Sequence, residues 1–146
     1  MNLTDSTKIL IIDDDRDDID IFIDAISELD DTIHCISVNN AADALAILQN
    51  SLSEKPDYIF LDLNMPRISG QSFLQEIKNS SSLKDIPVII YTTTKHIKEV
   101  DEVKNLGANY FLTKPTLFQD LQDALSCIIR HRTPDRELKD RILTEF

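Results

Sequence analysis

Cysteine, positive charge and long apolar runs are all scarce in this sequence, and each scarcity closes off a class of protein. The two cysteines, Cys35 and Cys127, stand far apart, each inside an apolar stretch. They read as reduced core thiols rather than a disulfide framework. His34, His96 and His131 are scattered, and no Cys/His cluster has the spacing of a zinc site. No run of about 18 apolar residues occurs, so no transmembrane helix is expected. The opening MNLTDSTK has no basic segment followed by an apolar one, so no secretory signal is read there. Basic residues number 15 against 26 acidic ones, for a net charge of −11. Such a chain repels nucleic acid and anionic lipid. Neither is expected as a partner, and the cytoplasm is the expected location.

What is present suits one domain. The chain has 146 residues, 42% of them hydrophobic, with no internal repeat and no low-complexity segment. KILII, residues 8–12, is a continuous apolar run stopped by three aspartates, as expected of a strand buried on both faces. Ile19, Phe22, Ile23, Ile26 and Leu29 follow at helical spacing. Residues 33–38 alternate and are β-branched, which predicts a second strand. An Ala/Leu-rich helix over 41–50 comes next, with Asn40 placed to cap it. YIFL at 58–61 predicts a third strand, again stopped by aspartate, and residues 69–78 a helix with Phe73, Leu74 and Ile77 inward. Val88 to Tyr91 predicts a fourth strand. Ile97, Val100 and Val103 mark a fourth helix, with Gly107 as its stop. Tyr110 to Leu112 predicts a fifth strand, ending at Lys114-Pro115, and Leu117, Leu121, Leu125 and Ile128 a fifth helix. Strand and helix alternate five times, which argues for a parallel sheet with helices on both faces and right-handed crossovers.

The chemistry follows the strands. The first ends in Asp13-Asp14-Asp15, the third in Asp62, the fourth in Thr92 and the fifth in Lys114. Open α/β sheets bind ligands at the carboxyl ends of their strands, so the fold would gather acids, a hydroxyl and an ammonium at one edge. Clustered carboxylates repel unless a cation joins them, and an all-oxygen ligand set suits Mg²⁺. A carboxylate can attack phosphorus and become an aspartyl phosphate, with metal and lysine stabilising the transferred charge. Asp62 fits the nucleophile, Asp13 and Asp14 the metal, Lys114 the ammonium and Thr92 a hydroxyl donor. Asp15, Asp17 and Asp18 read as solvated acids at a helix start, and Asp30-Asp31 as a turn.

IIDDD at 11–15, FLDLNMPRISG at 60–70, PVIIYTT at 87–93 and GANYFLTKP at 107–115 resemble the receiver domains of two-component response regulators. The resemblance covers roughly residues 7–131. It implies a flavodoxin-like (βα)5 fold, a doubly wound parallel five-stranded sheet of order 2-1-3-4-5. It implies Asp62 as phosphoacceptor and a Mg²⁺ site of Asp13, Asp14, Asp62 and the Asn64 backbone carbonyl. Lys114 would pair with the phosphoryl group, Thr92 would be the switch hydroxyl, and Phe111 the switch aromatic that turns inward on phosphorylation. Met65-Pro66 and Gly70 would shape the loop after the acceptor, and Pro115 would follow a cis peptide, as is common in this family. One departure stands out: Thr93 occupies a position where the family usually has Ala or Gly, which would slow access to Asp62.

The same resemblance implies a sensor histidine kinase or phosphotransfer protein as phosphoryl source, and an unknown downstream protein as partner. A receiver degenerate in its chemistry would lack one of the key residues, and none is missing. An aspartyl phosphatase needs an acid two residues after its nucleophile, where Asn64 stands. The expectation is therefore a phosphoacceptor with Mg-dependent self-phosphorylation and self-dephosphorylation, not an enzyme. Too few residues follow Pro115 for an output domain, and the LDLNMP form resembles stand-alone receivers serving phytochrome-like or hybrid kinases. The expected division is a receiver over 1–131 and a short tail over 132–146. Leu138, Ile142 and Phe146 are spaced by four, predicting one apolar side of a short tail helix with no sixth strand. A homodimer through the fourth helix, fifth strand, fifth helix and tail is the expected assembly.

Overall fold

The computed structural model describes residues 6–50, 54–94 and 96–146. The chain runs β1 (Lys8–Ile12), α1 (Arg16–Leu29), β2 (His34–Val38), α2 (Ala41–Gln49), β3 (Tyr58–Leu61), α3 (Gly70–Lys78) and β4 (Val88–Thr92). It continues through α4 (Ile97–Asn105), β5 (Tyr110–Thr113), α5 (Phe118–Ile129), α6 (Arg136–Arg141) and β6 (Leu143–Glu145). The continuous apolar runs form the central strands because every side chain in them is covered. β3 and β4 are buried throughout, whereas edge strand β2 is exposed at three of its five positions. Alternation along each strand then divides the core. Leu10, Ile12, Ile59, Leu61, Val88 and Ile90 face α2, α3 and α4, while Ile9, Ile11, Phe60, Ile89 and Tyr91 face α1 and α5.

Helix ends follow their local chemistry. Asp15 caps α1 by accepting from the Asp17 and Asp18 N–H groups, and Asn40 caps α2 by accepting from Asp43. At the end of α4, Gly107 N–H donates to Lys104 O and Ala108 N–H to Val103 O, with Gly107 at φ 103°. That is the paired bonding of a Schellman stop, and it requires a residue at ease with positive φ. Gly70 is needed for a different reason: a Cβ there would lie 2.6 Å from Asp62 O. Its absence lets α3 begin directly beneath the loop that follows β3. Cys35 and Cys127 are both free and half-buried against the α1–α5 side of the core. Burial pushes the Cys35 thiol up to about 11, so it stays protonated.

The order 2-1-3-4-5 is present, extended by a sixth strand: the sheet reads β2-β1-β3-β4-β5-β6, with β6 antiparallel to β5. The tail is therefore not one helix. Asp135 caps α6 through Leu138 N–H, but the helix stops after six residues and the backbone turns extended. So short a helix has little hydrogen bonding of its own to lose, whereas the outer edge of β5 offers unpaired donors and acceptors. Thr113 N–H donates to Ile142 O, and Phe146 N–H donates to Asn109 O. The apolar residues spaced by four consequently separate. Leu138 and Leu143 are buried on the α1–α5 side, while Phe146 packs against the α2–α4 side. Residues 132–146 thus pack into the same core as the rest. Among the described residues no peptide bond is cis, that before Pro115 included. The trans preference at an X-Pro bond is about 0.5–1 kcal/mol, so its surroundings decide the isomer. The trans bond follows directly on the last ladder bond of this edge, Lys114 N–H to Thr92 O at 2.8 Å.

Leu143→Ala should lower the unfolding free energy by about 2–4 kcal/mol, the usual effect of emptying a filled core position. Leu117→Ala, at a side chain 60% exposed, should change it by less than about 0.5 kcal/mol. Urea melts followed by circular dichroism measure both. Equal midpoints would mean that β6 contributes nothing to the core.

Candidate functional site

Strand register assembles the site. β1 and β3 are parallel neighbours with Ile12 opposite Leu61, so the next residues, Asp13 and Asp62, come side by side. Asp62 N–H donates to Ile12 O and Asp13 N–H to Val38 O, which continues the ladder into both acids. β4 and β5 pair Thr92 with Thr113, which brings Lys114 to the same edge. The chain leaves β1 toward β2 and leaves β3 toward β4. The acids therefore sit over the point where strand order reverses, the usual ligand crevice of such sheets. A cleft of about 450 Å³ opens beside Asp14, walled by Asn39–Ala42 and Pro66–Ile68.

Asp13, Asp62 and Thr92 are buried, while Asp14 is exposed at the mouth. Among the described residues one ammonium serves this cluster: Lys114 Nζ lies 2.7 Å from Asp13 Oδ2, 2.7 Å from Asp18 Oδ2 and 3.8 Å from Asp62 Oδ2. It also sits 5.4 Å from the centre of the Tyr91 ring, a cation–π contact. Burial pulls the Lys114 pKa down, but its bonds to Asp13 and Asp18 and the charge of Asp62 outweigh that and raise it, so it remains an ammonium. Asn64 N–H donates to Asp62 Oδ1 at 3.3 Å, and Asn64 Nδ2 lies 3.5 Å from Thr92 Oγ1. Burial raises the Tyr91 hydroxyl far above its ordinary value, with the charges of Asp18, Asp13 and Asp62 adding to the effect.

Asp13 is the carboxyl displaced most from its ordinary range. Burial pushes its carboxyl from 3.8 up to about 6, against the pull of Lys114 and the Asp15 N–H, and the Asp62 charge adds to the rise. Oδ1 accepts from Asp15 N–H at 2.9 Å. Oδ2 is fully buried, and its 2.7 Å contact with Lys114 Nζ is short but poorly aligned for a hydrogen bond. A buried, bond-poor carboxylate oxygen is costly alone and suited to a cation. One carboxylate oxygen from each of Asp13, Asp14 and Asp62 lies within 4.8 Å of the others. This all-oxygen set fits a hard divalent ion.

The structure thus brings together Asp13, Asp14, Asp62, Thr92 and Lys114, with the Asn64 backbone beside Asp62. Phe111 departs from expectation: it is already buried, packed with Val103 and Ala108 on the α2–α4 side. β6 pairs along β5, with Thr144 opposite Phe111, and Phe146 lies against the same cluster. Thr93 is exposed. Asp18, read from the sequence as a solvated acid, is instead a partner of Lys114. Nothing in the local pattern marked it, since its partner lies 96 residues away in sequence.

An acid-lined, ammonium-closed crevice over the reversal point of a doubly wound sheet defines a flavodoxin-like signalling domain. The chain belongs to the response regulator receiver domain family, which matches residues 9–126. It is therefore a receiver of phosphorelay signalling. Response regulator Rcp1 of Synechocystis sp. is 32% identical over 117 residues, covering 77% of this chain and 80% of that protein. The two-component response regulator ORR1 of Oryza sativa subsp. japonica is 29% identical over 127 residues, covering 83% of this chain and 54% of that protein. The chain thus spans about half the length of several curated relatives it matches. Among solved structures, the phosphorylated cyanobacterial phytochrome response regulator RcpA superposes with a TM-score of 0.81 at 27% identity, over 88% of this chain and 98% of that one. The Mn(2+)-bound form of response regulator Rcp1 gives 0.80 at 28% identity, over 88% and 99%.

The raised Asp13 pKa has a stability consequence. Between its ordinary value of 3.8 and about 6, the native carboxyl holds a proton that the unfolded chain has released. Stability from this group is therefore present at low pH and lost as pH rises through that window. In chelator-treated protein, Asp13→Asn should gain on the parent by about 1–3 kcal/mol between pH 4 and pH 7. Urea melts at the two pH values measure it, and a parallel response of both proteins would contradict the assignment.

Proposed function

We propose that Asp62 accepts a phosphoryl group from the phosphohistidine of a sensor histidine kinase or phosphotransfer protein, in the cytoplasm, and that the resulting aspartyl phosphate switches partner binding. The observation that carries this reading is the convergence of Asp13, Asp14, Asp62, Thr92 and Lys114 from four strand ends on one crevice. A carboxylate oxygen of Asp62 attacks phosphorus. The N–P bond of the donor breaks, its electron pair stays on the imidazole, and the imidazole takes up a proton. Lys114 holds charge on the transferred oxygens, and the buried Thr92 hydroxyl donates to one of them. Asp13, Asp14, Asp62 and the Asn64 carbonyl would hold Mg²⁺, which neutralises the phosphoryl oxygens when bound. Asn64 offers no acid where a phosphatase needs one, which favours a phosphoacceptor with self-phosphorylation and self-dephosphorylation chemistry over a turnover enzyme.

Incubation with acetyl phosphate and Mg²⁺ should label the chain to about one phosphoryl group per molecule, and Asp62→Asn should lose the label. Intact-mass spectrometry reads both. Full labelling of Asp62→Asn would remove the assignment, and continuous release of phosphate at enzymatic rates would favour a phosphatase. Asp14→Ala should weaken Mg²⁺ binding by at least tenfold in a calorimetric titration, because an all-oxygen site loses a charged ligand. Unchanged affinity would relocate the metal.

The partner surface of this reading is the face of α4, β5 and α5. Since β6 covers the outer edge of β5, a two-fold contact there runs through α4, β6 and α5, and is isologous. Beryllium fluoride with Mg²⁺ should double the mass seen by sedimentation velocity. A monomer both with and without it would leave this face to a different protein.

A further inference from the structure

Lys114 makes its aligned hydrogen bond to Asp18, not to an acid of the acceptor set: Nζ donates to Asp18 Oδ2 at 2.7 Å, while Asp62 Oδ2 stands 3.8 Å away. Asp18 is the only one of the three carboxylates around this ammonium that comes from a helix, α1, and not from a strand end. It is also the most open. Its side chain is 28% exposed, against 0% for Asp13 and 7% for Asp62.

These differences decide which partner Lys114 gives up when a new anion enters. An ammonium has three donor hydrogens. A phosphoryl group on Asp62 brings several anionic oxygens to a site where Lys114 already faces three carboxylates. Releasing Asp13 would strand a buried charge, which is strongly unfavourable. Releasing Asp18 leaves a carboxylate that is 28% exposed and within reach of water, a smaller loss than stranding an enclosed one.

We infer that Asp18 is a positioning residue that competes with the phosphoryl group for Lys114, so that phosphorylation hands the ammonium from α1 to Asp62. The inference rests on the phosphoacceptor reading of Asp62. In the unphosphorylated chain, Asp18 holds Lys114 at the α1 side of the crevice and restrains phosphoryl binding. After the exchange, the tie between α1 and the end of β5 is broken, and Asp18 stands as an unpaired acid on the first turn of α1. The acceptor state is thereby reported at α1 as well as at the Thr92 side of the site.

The test measures the concentration of beryllium fluoride, at saturating Mg²⁺, that half-converts the protein, followed by amide NMR. Asp18→Asn keeps the shape of the side chain and removes the competing charge, and should tighten this value about threefold to tenfold. Asp17→Asn removes an equal charge from the neighbouring exposed acid, which makes no contact with Lys114 in this structure, and should leave the value within about twofold. Asp18→Glu should restore the parent value, since it returns a carboxylate to the same face. An unchanged or weaker response in Asp18→Asn overturns the inference. So does equal tightening by Asp17→Asn, which would indicate general charge repulsion, or failure of Asp18→Glu to restore the parent value. If the parent chain itself does not respond to beryllium fluoride, the phosphoacceptor reading fails, and this inference fails with it.

Discussion

Among the described residues a single ammonium, Lys114, stands among the buried carboxylates at the end of a sheet covered on both faces, and the organisation of the site follows from that imbalance. Asp13 is wholly enclosed, and its carboxyl is pushed up to about 6 by burial even with the lysine 2.7 Å away. Removing Lys114 would leave Asp13 and Asp62 facing one another without compensation in a poorly solvated crevice. The strands bring these charges together because their registers leave no choice. Ile12 opposite Leu61 brings the acids side by side, and Thr92 opposite Thr113 brings the lysine. Hydrophobic burial supplies the energy for that placement, so the apolar core in effect compresses a charge cluster that would otherwise separate. A divalent cation is the natural complement of this set, and Asp13 Oδ2, buried and without an aligned hydrogen bond, is chemically suited to it.

Much of this was legible in the amino-acid order because it rests on short-range chemistry. Runs such as KILII and YIFL are too apolar and too short to be anything but enclosed strands, and the polar residue ending each run had to emerge at one edge of a parallel sheet. Asp15, Asn40 and Gly107 act on backbone groups within a few residues, so their capping roles could be read locally. The failures share the opposite property. Leu138, Ile142 and Phe146 have helical spacing, yet spacing carries no information about a free strand edge elsewhere, and pairing with β5 decided the outcome. Asp18 resembles any acid near a helix start. Its bond to Lys114 joins residues 96 apart in sequence, and only the fold makes them neighbours. Phe111 is buried in a cluster drawn from several elements, an enclosure that local pattern does not report.

That sixth strand changes what the α4–β5–α5 face can present. With β6 paired along β5, the main-chain donors and acceptors on that side are largely used within the chain, which blunts an edge that would otherwise invite pairing with other chains. Recognition on this face must then come from side chains of α4, β6 and α5. The exposed apolar groups Ile97, Leu117 and Phe118 lie at the beginnings of α4 and α5. They follow β4 and β5 by short loops, so the sequence leaves them near the same sheet edge that carries Thr92 and Lys114.

The placement of Phe111 also constrains how a change at Asp62 is transmitted. An aromatic ring that is already buried cannot report phosphorylation by moving from an exposed to an enclosed position. The groups left to respond are those bonded directly around the acceptor. Thr92 Oγ1 lies within reach of Asn64 Nδ2, and Lys114 N–H is bonded to Thr92 O at 2.8 Å. A shift of the Thr92 backbone therefore pulls on Lys114, and a shift of Lys114 pulls on Thr92. The same stretch of chain is tied outward, since Thr113 N–H donates to Ile142 O at the start of β6. Packed interiors pass on displacements because they have few voids in which to absorb them. Hydrogen bonds from Asn64 to Thr92, from Lys114 to Thr92 and from Thr113 to Ile142, joined by the Thr113–Lys114 peptide bond, thus link the acid crevice to the outer edge of the sheet.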